Sequence, residues 1–247
     1  MKTAVFPGTE LTVRWLEPAG AVRGVVVLCH GFGAPGTDLV GLASEFCRAR
    51  PELADGLVWA FPEAPLTPPE MAMFGGRAWW PLDTGKIERM LRAGKLRDLA
   101  NDEPPGLGPA RRKLTAVLDA LLRRFDLPMS QLVVGGFSQG AMLATETTLR
   151  LEEAPAALIV MSGTLLNAAN WSRWVVRRRG LKVLQSHGER DPLLPFFGAE
   201  ALRELLTQGG CDVTFVPFPG EHTISSKVVA AVAETLCSVY QKPRRSD

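Results

Sequence analysis

The chain is poor in the residues and runs that mark several large protein classes. It has three histidines and four cysteines in 247 residues. The cysteines, Cys29, Cys47, Cys211 and Cys237, stand far apart without any CxxC spacing, which argues against a zinc site, and their mostly apolar neighbours favour buried reduced thiols over a disulfide framework. No apolar run approaches the roughly 20 residues needed to span a bilayer, so stable membrane insertion is not expected. Residues 1–10 carry one lysine, then Pro7 and Gly8, and lack an apolar stretch of signal-sequence length, which makes a cytoplasmic location the expectation. An excess of one charge is missing too: 28 Lys and Arg against 26 Asp and Glu leave a formal net charge of +2. Without a long basic tract, nucleic acid is not an expected partner. The densest basic run, Arg177-Arg178-Arg179, reads as a solvated helix end, where cations complement the helix dipole.

What is present is a globular composition, 46% hydrophobic and 22% charged, at a length suited to one hydrophobic core, so a single domain over residues 1–247 is expected. Apolar periodicity predicts strands near residues 11–16, 25–28, 57–61, 132–135, 157–161, 181–185 and 213–216. Helical stripes fall between them near 39–46, 111–125, 141–151, 170–178, 197–207 and 225–239. The run Val25 to Leu28 is continuously apolar and β-branched, as in a strand buried on both faces. This alternation predicts an α/β fold with a mainly parallel sheet covered by helices on both faces, and such sheets bind ligands at the carboxyl ends of their strands. The rhythm breaks at 84–109, a basic helical segment followed by a stretch rich in Pro, Gly and acid. It is too short to bury a core and reads as an insertion. Ile87, Met90, Leu91 and Leu96 form an apolar stripe there, suited either to a partial lid over the sheet's carboxyl edge or to packing on the domain's side.

The strongest motif is Gly136-Phe137-Ser138-Gln139-Gly140, a G-x-S-x-G placed between a buried strand and a helix. A sharp strand-to-helix turn exposes the serine hydroxyl, flanking glycines let the chain close, and the helix N-terminus favours negative charge beside it. Ser138 is therefore the expected nucleophile. A serine needs a base, and His222 lies in the loop Pro219-Gly220-Glu221-His222 after the last strand. His30 and His187 end strands and read as structural. The acid that orients the base should fall between serine and histidine in chain order, which selects Asp191, after strand 181–185 and before Pro192, with Glu189 the nearest rival. Asp212 opens a strand and lies at the wrong edge. Oxyanion stabilisation requires two backbone N–H groups: one from Gln139, the residue after the nucleophile, and one from Phe32 in His30-Gly31-Phe32-Gly33.

Residues 31–36 also spell G-x-G-x-x-G, a dinucleotide-binding pattern. No acidic residue closes the next strand at the required distance, since Glu63 follows Pro62, and Pro35 lacks an N–H for a pyrophosphate.

Together, Leu28 to Gly33, Phe61-Pro62-Glu63-Ala64-Pro65, Arg77-Ala78-Trp79-Trp80, Gly135 to Gly140, His187 to Pro195 and Gly220-Glu221-His222 resemble the phospholipase/carboxylesterase family of α/β-hydrolases, which includes the acyl-protein thioesterases. The resemblance covers most of the chain. It implies hydrolysis of carboxylic or thio esters through an acyl-enzyme, without metal or cofactor, on a small-molecule or lipid-like ester; it leaves chain-length preference and oligomeric state open. The 84–109 segment is longer than in compact members. Of the adjacent Trp79 and Trp80, one is expected to line the acyl or alcohol pocket, because two neighbouring indoles do not readily bury on one face; the alternative is that both anchor the loop. A hydrolase-like binding protein without activity is the reading from another class, and four intact catalytic elements speak against it.

Overall fold

The structure is a computed structural model that describes residues 1–83, 85 and 100–240. Its sheet has eight strands among the described residues: β1 Lys2–Val5, β2 Thr12–Leu16, β3 Gly24–Cys29, β4 Leu57–Pro62, β5 Leu132–Phe137, β6 Ala157–Met161, β7 Lys182–Gly188 and β8 Asp212–Phe218. They lie in the order β1-β2-β4-β3-β5-β6-β7-β8. β2 pairs antiparallel with both β1 and β4, and every other pairing is parallel. The helices are α1 Val40–Ala49, α2 Leu107–Phe125, α3 Gln139–Arg150, α4 Ala168–Val175, α5 Phe196–Gln208 and α6 Ser226–Tyr240.

Alternation along the central strands sorts the core into two layers. Val25, Val27, Val134 and Val160 face one side and pack with α2, α3, α4 and α5 residues such as Leu114, Leu143, Trp171 and Leu202. Val26, Leu28, Val133 and Ile159 face the other and meet Phe46 of α1 and Val232 and Leu236 of α6. Both faces are covered, so β3 and β4 are buried along their whole length. Each such aliphatic side chain contributes roughly 1.5–3 kcal/mol of burial free energy. Because β3, β4, β5, β7 and β8 run parallel, residues 30, 63, 138, 189 and 219 all leave the sheet at one edge.

Several elements depart from expectation. β1 carries no signal, because its burial is slight and two-residue alternation over Lys2 to Val5 is absent. The helix expected from residue 111 begins at Leu107, so residues 107–109 belong to α2 and not to an insertion. The apolar stripe at 87–96, and with it the lid, lies outside the described residues. The basic run is not uniformly solvated: Arg178 is buried. Its Nε donates to Thr148 O at 2.8 Å, and its guanidinium also reaches Leu151 O. These carbonyls at the end of α3 lack partners within the helix, and an arginine that satisfies them also meets the negative end of the dipole.

The four cysteines are unpaired; Cys29, Cys211 and Cys237 are buried, and Cys47 is half-buried. Burial pushes the Cys211 thiol up to about 11.

Candidate active site

The turn after β5 carries Ser138 with φ 53° and ψ −120°, a left-handed backbone that strains a residue with a side chain. The surroundings hold it there. The Ser138 N–H donates to Met161 O at 2.9 Å, and Ser138 O accepts from the N–H groups of Ala141 and Met142. The two flanking glycines permit the closure: a Cβ at Gly136 would come within 2.5 Å of the Gly140 backbone, and one at Gly140 within 2.5 Å of His30 O. The loop after β3 therefore lies directly on the serine turn. A Cβ at Gly31 would be 3.4 Å from Ser138 Cβ.

Asp191 and His222 arrive from the loops after β7 and β8. These loops are stitched together by Glu189 N–H to Phe218 O, Arg190 N–H to Gly220 O, both 2.9 Å, and the Arg190 guanidinium to Pro219 O at 2.7 Å. The result brings His222 Nδ1 to 2.6 Å from Asp191 Oδ2. The His222 ring packs on Phe137, centroids 4.8 Å apart, one residue before Ser138. Its side chain remains 13% exposed, while that of Asp191 is fully enclosed.

Asp191 is over-determined as an anion. Oδ1 accepts from the N–H groups of Leu193 and Leu194, each at 2.9 Å, and His187 Nε2 lies 3.3 Å from Oδ2. Burial by itself raises the pKa of this carboxyl, but hydrogen bonds from His187, His222 and Leu194 and the charge of His222 outweigh it and hold it well below the usual carboxylate range. Glu189, the rival acid, is exposed. The other histidines have structural partners: His30 Nδ1 donates to Gly31 O and its Nε2 accepts from Ala64 N–H, and His187 Nε2 donates to Leu194 O.

Gln139 opens α3, so its N–H is among the first four of the helix, which lack intrahelical acceptors. Phe32 sits in the β3 loop and lines a cleft of about 380 Å³ with Leu66, Pro69, Ala78, Pro81 and Leu82. A second cleft of about 450 Å³ starts at Leu193 and Leu194 of the acid loop and runs along α5. Gly36, the last glycine of the dinucleotide-like pattern, faces a filled space: a Cβ there would meet the Glu63 carboxylate and the Arg14 guanidinium, which are paired at 2.9 Å.

Residues 13–239 match the family model described as phospholipase/carboxylesterase. The chain belongs to that family. It is an ester-hydrolysing enzyme of the serine hydrolase type. The esterase is 24% identical to acyl-protein thioesterase 1 of Debaryomyces hansenii, over 93% of this chain and 97% of that one. It is 27% identical to the corresponding thioesterase of Eremothecium gossypii, over 79% and 77%. Among solved structures, esterase PE8 superposes with a TM-score of 0.78 at 27% identity, covering 93% of this chain and 99% of that one. The Bacillus cereus carboxylesterase shares the fold, with a TM-score of 0.70 at 16% identity over 94% and 96%.

The expectation that Trp79 or Trp80 lines a pocket of the esterase is corrected by their burial: each is 1% exposed and packs in the core. One loop can bury both because their surroundings differ. The Trp79 indole N–H donates to His30 O at 2.8 Å, whereas Trp80 packs with its Nε1 unpartnered among the described residues. Sequence reasoning also missed what the Gln139 side chain does. Its Oε1 accepts from Trp79 N–H and its Nε2 donates to Trp80 O, both at 2.9 Å. The available signal was the adjacency of Arg77 to Trp80 in the family resemblance, but nothing in the string linked it to residue 139.

Proposed function

We propose that Ser138 is the nucleophile of this esterase, His222 its base and Asp191 the acid that orients the base, with the N–H groups of Phe32 and Gln139 receiving the oxyanion. The observation that carries this reading is the 2.6 Å hydrogen bond from His222 Nδ1 to Asp191, with the imidazole laid on Phe137 next to the strained serine. A buried carboxylate facing Nδ1 keeps a proton there, which leaves Nε2 as the acceptor for the serine proton. Ser138 Oγ then bonds to the ester carbonyl carbon, the C=O pair moves onto oxygen, and the serine proton passes to His222. Collapse expels the alcohol or thiol, which takes that proton, and water repeats the sequence to release the acid.

The substrate is a small or lipid-like carboxylic or thio ester whose apolar part contacts the cleft at Phe32, Leu66 and Leu82. Nucleic acid is not a partner in this reading. No helix among the described residues is long and apolar enough to cross a membrane, and the four unpaired thiols support a reducing, cytoplasmic setting. One domain spans the chain.

A fluorophosphonate probe tests the nucleophile: the protein should be labelled stoichiometrically at Ser138 and lose its esterase activity in step. Labelling elsewhere, or full activity after complete labelling, would overturn the assignment.

A further inference from the structure

The two oxyanion donors come from separate parts of the chain, Phe32 from the loop after β3 and Gln139 from the start of α3. Stabilisation of a tetrahedral intermediate depends on donors held at a set separation, since one misplaced by about 1 Å can cost 10²-fold in rate. Residues 77–80 touch both parts. Arg77 forms two backbone hydrogen bonds to the β3 loop just beyond Phe32, with Gly33 N–H donating to its carbonyl at 2.8 Å and its own N–H donating to Ala34 O at 3.1 Å. Just before Phe32, the Trp79 indole N–H holds His30 O. At the other end, the Gln139 carboxamide grips the backbone of Trp79 and Trp80 with one hydrogen bond each way. His30, Trp79, Trp80 and Gln139 are buried, and a buried carboxamide with both ends satisfied is fixed in orientation.

We propose that residues 77–80 are a splint between the two halves of the oxyanion site, and that Trp79 and the Gln139 side chain are positioning residues that set the separation of the Phe32 and Gln139 N–H groups. This rests on the assignment of those N–H groups above. Within it Ala78 lines the cleft beside Phe32, whereas the buried Trp79 and Gln139 side chains act on the backbone near each donor.

Trp79 and Trp80 supply their own control. They are adjacent, equally buried and lose the same ring volume on replacement by phenylalanine, but among the described residues only the Trp79 indole N–H has a partner. Trp79→Phe should lower kcat by about 10- to 100-fold, while the dissociation constant of an uncleaved ester, measured in the Ser138→Ala background, stays within about twofold. Its Ki for a trifluoromethyl ketone, whose serine adduct places an oxyanion at the donors, should rise by the same factor as kcat/KM falls. Trp80→Phe should leave both quantities within about threefold. Gln139→Met, which keeps the backbone N–H, should reproduce the Trp79→Phe loss, and the two changes together should not multiply. Should a phenylalanine at 79 impair folding, β-(3-benzothienyl)alanine at that position keeps the indole shape without its N–H and should show the same loss. Equal effects at 79 and 80, or a loss confined to ester binding, would overturn the splint while Ser138 labelling of the wild type still stood. Failure of that labelling would remove the site assignment itself.

Discussion

Ser138→Ala should lower kcat for a short-chain p-nitrophenyl ester by about 10⁴- to 10⁶-fold. The size follows from losing the covalent route altogether, and the floor is set by what stays behind: ester binding and the oxyanion donors still accelerate attack by water by roughly 10³-fold or more. The fold should survive. Alanine keeps the Cβ that the strained φ of 53° already accommodates, and the backbone hydrogen bonds to Met161, Ala141 and Met142 do not involve Oγ. Steady-state kinetics together with a melting curve check both halves, and activity within tenfold of wild type at an unchanged melting temperature would remove Ser138 from the mechanism. His222→Ala should cost a similar factor, and the double variant should be no slower than either single one, because nucleophile and base act as a unit.

Asp191→Asn should reduce kcat by about 10²- to 10⁴-fold. The side-chain oxygen of asparagine can still accept from Leu193 and Leu194, so the loop keeps its shape, but an NH₂ group then faces His222 Nδ1. The ring answers by moving its proton to Nε2, which can no longer take one from serine. Glu189→Gln, on an exposed side chain, should change kcat by less than about threefold, in line with ordinary surface substitutions. A reversed pair of results would transfer the acid role to Glu189. The same variant has a pH signature. Folding lowers the Asp191 pKa from 3.8, so the carboxylate's stabilisation is fully present above that unfolded value and is lost as pH falls through the lower folded one. The stability gap between wild type and Asp191→Asn should thus be constant from neutrality to about pH 5 and narrow in more acid solution.

Legibility in the sequence tracked how local the deciding interaction is. The strands at 25–28 and 132–135 were readable because burial on both faces leaves an unbroken apolar run, and Ser138 because its turn needs glycine at fixed offsets. Asp191 and His222 were chosen by chain order and loop position, and the structure brings the two side chains within 2.6 Å. Arg178 was misread since its partners are carbonyls 27–30 residues earlier, which no local pattern reports. The tryptophans were misread for a related reason: one indole N–H is satisfied by a carbonyl 49 residues away, and an argument from adjacency alone has no access to such a partner. β1 was missed because an edge strand with little burial has no periodicity to show.

The strand order also bears on how this chain comes off the ribosome. β3 cannot acquire its neighbour β5 until residue 137 has been made, but from there β6, β7 and β8 each add to the free edge left by the strand before, in order of synthesis. The serine turn is therefore complete once β6 brings Met161 O to the Ser138 N–H, the Asp191 carboxylate joins after the seventh strand, and the His222 imidazole comes last, after the eighth. A nascent chain halted between the docking of β6 and that of β8 carries the serine turn without the His222 loop, together with an unpaired sheet edge that invites chaperone binding or misassociation. With Ser138, Asp191 and His222 in the roles proposed above, hydrolytic competence would appear only at the final step of sheet growth, when that edge of β7 is already occupied.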